Sequence, residues 1–240
     1  LPAAFFEALF YTSVERFRIQ GILGHQKKPF RFKNKLASLD ATVISLCLDL
    51  FPWAKFRRTK GGVKVHVLLD HDDYMPQFAA ITEAKLNEAR IITTLRFNAG
   101  SIVAFDAAFN NYRLFAEWTE RGIYFVTRMK SHTVYEVIEE RAVPQNRNIL
   151  SDEIIFLSGE RAPGKCPYPL RRIVVWDREN DRTIVSGSTG VGVGSAVASG
   201  DGDGSTAAAS PSGESLLEAI DPTDPSFGLA VLACEDLFPD

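Results

Sequence analysis

The feature that most limits what this chain can fold into is a change of composition at Val185. Beyond it runs SGSTGVGVGSAVASGDGDGSTAAASPSG, in which no apolar side chain is larger than valine. Such a stretch cannot bury enough apolar surface to offset the entropy of ordering its backbone, so residues 186–240 are expected to form a disordered, flexible tail. Charge divides at the same place. All 27 Lys and Arg lie between Arg16 and Arg182, whereas the tail holds nine acidic residues and no basic one. The formal net charge of −3 is therefore the sum of a basic body and an acidic tail, and the fold must come from the body.

The chain as a whole is 45% hydrophobic, the apolar content of an ordinary globular protein. No run approaches ~18 uninterrupted apolar residues, so no membrane-spanning helix is expected. Cys47, Cys166 and Cys234 are odd in number and far apart. They form neither a disulfide framework nor a C-x-x-C metal pattern, and a reducing, cytoplasmic setting follows. There is no basic segment, apolar core and small-residue cleavage site of a secretory signal.

Along the body, PAAFFEALFYTSVERF places Phe5, Leu9, Phe10, Val14 and Phe17 near helical spacing. A basic, loop-like connector follows to Lys35. Leu36–Leu50 reads as buried strand, long enough to expect a break near its middle, with Cys47 a core residue. Gly62–Leu69 alternates, with Lys64 and His66 on the exposed face. Asp70–Asp73 is a turn and Met75–Thr82 the returning strand of a hairpin. Glu83–Ile92 is expected to be helical. Ser101–Phe105 is a short apolar run of the kind buried on both faces. Asn110 or Asn111 caps a helix through Glu120 that stops at Gly122, and Ile123–Thr127 is another buried strand. TVYEVIE, EIIFLS and RRIVVWD then read as strands, with Arg171 and Arg172 facing solvent. The order predicts an α/β fold, a mixed sheet with a β-rich insertion. The divisions are 1–35, helix and basic connector; 36–132, core; 133–185, β-rich insertion; and 186–240, tail.

Two carboxylates stand at strand positions. Asp40 lies within an apolar run and Asp106 ends another. An acid so placed is costly unless paired, hydrogen-bonded or bound to a metal. If the two strands are neighbours, both groups face one point and can hold Mg²⁺ or Mn²⁺ through hard oxygen ligands. The plainer alternative makes Asp106 a strand-end acid and Asp40 a hydrogen-bonded turn residue. His66, Asp70, His71 and Asp72 also contain metal-ligand types, but turn chemistry alone accounts for an Asp-His-Asp-Asp run. Lys55, Arg57, Arg58, Lys60 and Lys64, interleaved with Trp53 and Phe56, form a basic cluster that can grip a DNA backbone or stand as a solvated face.

Phe30–Leu46, FRFKNKLASLDATVISL, resembles the first catalytic block of bacterial insertion-sequence transposases of the DDE class, in the family numbered four. The likeness continues through FPWAKFRRTKGG and the Lys64–Asp72 hairpin. SIVAFDAAFNNY looks like the second block, in which an Asp closes a strand and an aromatic residue follows three positions later. Tyr124–Lys130 and CPYPLRRIVVW also look like this family. The resemblance covers nearly all of residues 1–185. It implies a ribonuclease-H-like fold, with Asp40 and Asp106 as the first two catalytic acids and two Mg²⁺ ions (or Mn²⁺) as cofactors. The reaction it implies is cleavage and strand transfer at insertion-sequence ends. It further implies double-stranded DNA as partner, a homodimer, and a nucleoid-associated place in the cytoplasm. The family's third block, a helix bearing Tyr, Arg, Glu and Lys, has no match after Val185. Glu214 and Glu218 lack Arg or Lys neighbours there. The expectation is a C-terminally incomplete, inactive transposase, with a non-catalytic DNA-binding module carrying an acidic interaction tail as the alternative.

Overall fold

In the computed structural model, residues 2–20, 32–47, 55–57, 60–143, 148–160 and 162–189 are described. The expected tail beyond residue 189, Arg58, Glu214 and Glu218 lie outside them. Among the described residues, ten strands form one mixed sheet. In chain order the elements are α1 (Ala3–Gln20), β1 (Leu36–Leu46), β2 (Lys55–Arg57), β3 (Lys60–Asp70), β4 (Pro76–Glu83), α2 (Ala89–Ile92) and β5 (Ile102–Phe105). There follow a single 3-10 turn (Ala107–Phe109), α3 (Tyr112–Glu120), β6 (Tyr124–Arg128), β7 (Tyr135–Glu140), β8 (Ile149–Leu157), β9 (Leu170–Asp177) and β10 (Arg182–Thr189).

The sheet runs β2-β3-β1-β5-β6-β10-β9-β8-β7, and β4 pairs with β3 on the side away from β1. β1 is antiparallel to β3 and parallel to β5, and β5 is parallel to β6. Parallel neighbours need a crossover, and α3 supplies it between β5 and β6. The Asn111 side chain caps that helix by accepting from the N–H groups of Arg113 and Leu114, and Gly122 ends it at φ 65°, a conformation glycine adopts without steric cost. Leu114, Phe115 and Trp118 are its buried stripe. They pack on Leu39, Phe105 and Phe125. The Phe115 and Phe125 rings stack at 4.2 Å, and Trp118 stands edge-on to Phe105 at 5.9 Å.

Several expectations are corrected. β1 is one continuous strand of 11 residues without a break. It is buried only from Leu36 to Leu39, where β5 covers its other edge, and Val43 and Ile44 are exposed. Cys47, just past its end, is exposed: there the chain has run beyond the sheet that would bury it. Helix in 83–92 shrinks to Ala89–Ile92. The strand ending the body runs past Val185 to Thr189, because Ser186, Gly187 and Ser188 are paired on both sides, to β6 and to β9. β7–β10 thus continue the same sheet through the β6–β10 pairing.

Arg171 faces the interior instead of solvent. It is 1% exposed and holds Asp152 through two hydrogen bonds of 2.8 and 2.6 Å. A guanidinium matches a carboxylate in this two-pronged way, which lets both enter the sheet together. Arg172 is half-buried, bonded to Glu153 and lying over the Tyr135 ring.

Candidate functional site

The β1–β5 register sets the site. Leu39 is opposite Phe105, so Asp40 and Asp106 each lie one residue further along adjacent parallel strands. Side chains alternate along a strand, and the two carboxylates therefore share a face. Both sit at the carboxyl end of β5, the end at which open α/β sheets place their ligands. Asp40 is half-buried and Asp106 exposed.

The charges in this corner repel one another. Burial is the first cause that raises the Asp40 carboxyl above its ordinary value, and the negative charges of Asp106 and Glu88 raise it further. Hydrogen bonds from the Ala41 N–H and the Thr42 hydroxyl oppose them. Asp106 precedes the 3-10 turn, but its side chain makes no capping bond there. Asp106 has no salt bridge or side-chain hydrogen bond to another described residue. Hard oxygen donors with uncompensated charge fit a divalent cation such as Mg²⁺ or Mn²⁺, so Asp40 and Asp106 are the residues that could hold one. Among the described residues, no three His, Cys, Asp or Glu side chains converge as a ready-made metal cluster.

Glu88 is a carboxylate the sequence reading missed. It stands immediately before the short α2, and Lys64 bonds it at 2.5 Å while also reaching the Leu86 carbonyl. No local signal marks Glu88 out within a segment expected to be helical throughout. The pairing leaves Lys64 tied to this corner, with its side chain mostly buried. Of the other basic positions, Lys55 and Arg57 are on β2 and Lys60 opens β3, with Lys55 opposite Gly61 and Arg57 opposite Lys60. Lys55 and Arg57 thus lie on an edge strand of the sheet, whereas Arg58 is outside the described residues.

His66 is not on an exposed face. It is fully buried, its Nε2 meets the Thr82 hydroxyl at 2.9 Å, and its Nδ1 has no hydrogen-bond partner among the described residues. The strand alternates as expected, but the face taken for solvent carries α2 and the 3-10 turn, and Phe109 stands edge-on to the imidazole at 6.1 Å. At the other end of β3, Asp70 is buried among Lys35, Gln77 and the Asp72 N–H, and His71 Nε2 meets Ser38 Oγ at 2.9 Å. These hydrogen bonds account for the Asp-His-Asp-Asp run as turn chemistry.

The chain is thus a mixed α/β sheet in which two acids, Asp40 within β1 and Asp106 just past the end of β5, share one face. Residues 31–172 match the transposase DDE domain family, and the chain belongs to that family. A protein of Sinorhizobium fredii described as the transposase y4zB is 31% identical over 150 residues, which cover 61% of this chain and 42% of that protein. A second relative, described as the transposase of insertion sequence element IS5377 from Geobacillus stearothermophilus, is 22% identical over 159 residues, 66% of this chain and 41% of its own. The chain thus spans about two fifths of the length of these relatives. Among solved structures, the endonuclease V of Bacillus subtilis aligns over 76% of each chain at 11% identity and a TM-score of 0.32. No helix among the described residues is long and apolar enough to cross a membrane.

Proposed function

We propose that this chain carries the metal-binding core of a DNA transposase of the DDE class, with a ribonuclease-H-like sheet and with Asp40 and Asp106 as its divalent-cation ligands. The observation that carries the reading is the register that puts both carboxylates on one face, Asp40 within β1 beside Asp106 at the end of β5, within a chain of the DDE domain family. The antiparallel-then-parallel order around β1 supports the fold. Divalent cations in such a centre stabilise the entering and leaving oxygens of phosphodiester attack. The chain's own part is to present two oxygen donors from strands locked in register.

The basic positions on β2 and at the start of β3 support DNA as the partner. Gly61, beside Lys55, is paired with Leu46, six residues beyond Asp40 along β1. At ~3.3 Å per residue that is about 20 Å. Over such a span a duplex carries one negative charge per ~1.7 Å, so the positions of Lys55, Arg57 and Lys60 suit backbone contacts at one end while the acids act at the other. Two carboxylates hold a pair of cations poorly. This chain by itself is therefore expected to bind Mn²⁺ and DNA without completing strand transfer.

Calorimetric titration with Mn²⁺ tests the centre: the wild type should bind, and Asp106→Ala should abolish it. DNA binding that persists without any Asp106-dependent Mn²⁺ binding would instead favour a non-catalytic module. Mn²⁺-dependent cleavage of terminal-repeat DNA that vanishes in Asp40→Ala would overturn the expected inactivity.

A further inference from the structure

Asn110 is placed to do something other than cap α3, which Asn111 does. It directly follows the 3-10 turn that carries the chain away from Asp106, and both ends of its amide are engaged on β6. The Thr127 hydroxyl donates to Asn110 Oδ1 at 2.7 Å, and Asn110 Nδ2 donates to the Arg128 carbonyl at 2.9 Å. Thr127 is itself opposite Phe105, the residue before Asp106. The loop leaving β5 is thus clipped to the strand beside it at the level of the metal-binding acid. Phe109, 1% exposed, plugs the turn into the core, and its N–H returns to the Asp106 carbonyl at 3.0 Å. Asp106 has no side-chain bond of its own to a described residue, so its direction is set by the backbone that holds it.

We propose that Asn110 is a positioning residue for Asp106, acting through Thr127 and the Arg128 carbonyl to fix the 3-10 turn so that the Asp106 carboxylate meets the cation bound with Asp40. This rests on the reading of Asp40 and Asp106 as cation ligands. Groups that orient metal ligands from behind typically cost 10–100-fold in affinity when removed. Asn110→Ala should weaken Mn²⁺ binding by about tenfold on that scale. Thr127→Val, which removes the donor and leaves the Arg128 bond, should weaken it by a smaller factor in the same direction. Thr127→Ser keeps the hydroxyl and should bind as the wild type does.

The experiment is Mn²⁺ titration of the full chain by electron paramagnetic resonance, with metal-free melting temperatures for each variant. If the wild type shows no binding that Asp106→Asn removes, the functional reading itself fails. If that binding is present but Asn110→Ala and Thr127→Val match the wild type, the functional reading stands and the positioning role is overturned. Should Asn110→Ala not fold, the Thr127 pair decides. Equal losses in Thr127→Val and Thr127→Ser would show that the hydroxyl does not matter, and would overturn the proposal.

Discussion

Asp40 is held in a condition that the surrounding fold opposes, because burial and two neighbouring carboxylates all disfavour its charge. Its folded value lies above the unfolded one, so the native chain keeps this proton more firmly. The stability it contributes is fullest below the unfolded value near 3.8 and is lost as pH rises through the folded value. At neutral pH the ionised group is therefore a liability that a cation would relieve. Asp40→Asn is expected to melt higher than the wild type near pH 7 without metal, and Mn²⁺ should raise the wild-type melting temperature alone. A variant that melts lower than the wild type under those conditions would contradict this account. The histidines behave oppositely. Burial is the main cause that lowers both His66 and His71, so the unfolded chain takes up protons first and stability is lost as pH falls below about 6.5, toward their lower folded values. Melting temperatures measured from pH 8 to 5 should decline most steeply there, and less so in His71→Gln. The sequence disclosed the two acids because charge inside an apolar run is conspicuous. It could not disclose Glu88 or the burial of His66, since both depend on which element covers a face of β3.

At the scale of single elements, the β8–β9 pair shows how a charge enters a sheet. Asp152→Ala would leave the Arg171 guanidinium buried and unmatched, at a cost of about 3–5 kcal/mol. Replacing both partners with apolar residues, Arg171→Met with Asp152→Leu, should come close to neutral. Urea denaturation of the two variants measures the contrast, and similar losses in both would refute it. β10 makes a different point. Its Ser-Gly-Ser-Thr end has the composition of a linker, yet strands on either side order it. A Cβ at Gly187 would lie 3.0 Å from Met129 Cγ, so Gly187→Val should cost roughly 1–3 kcal/mol through overpacking. Composition could not reveal this strand, because its order comes from β6 and β9, residues remote in the chain. β3 and α3 are legible for the converse reason: alternation, a capping Asn and a stopping Gly are local signals.

Taken as a whole, the described molecule has a principal core that ignores the division drawn at residue 133. Leu39, Phe105 and Trp118 share one buried cluster with Ile155, Leu157 and Leu170. The β-rich strands are thus part of what supports the site. Leu170→Ala, expected to cost about 2–5 kcal/mol, should lower the stability of the Asp40 and Asp106 region equally. Near- and far-ultraviolet circular dichroism should then give a single coincident transition, and separate transitions would mean two independent units.

The pairing of Leu39 with Phe105 leaves very little tolerance for length variation. A strand slipped by one residue turns every side chain to the opposite face. One residue deleted from Leu36–Leu39, or inserted before Phe105, would shift one acid relative to the other while most of the sheet still formed. A protein altered in this way would keep most of its sheet, yet lose the shared face on which the proposed cation site depends. The four paired positions of β1 and β5 therefore act as a reading frame in three dimensions, in which a miscount separates the two acids before it destroys the fold.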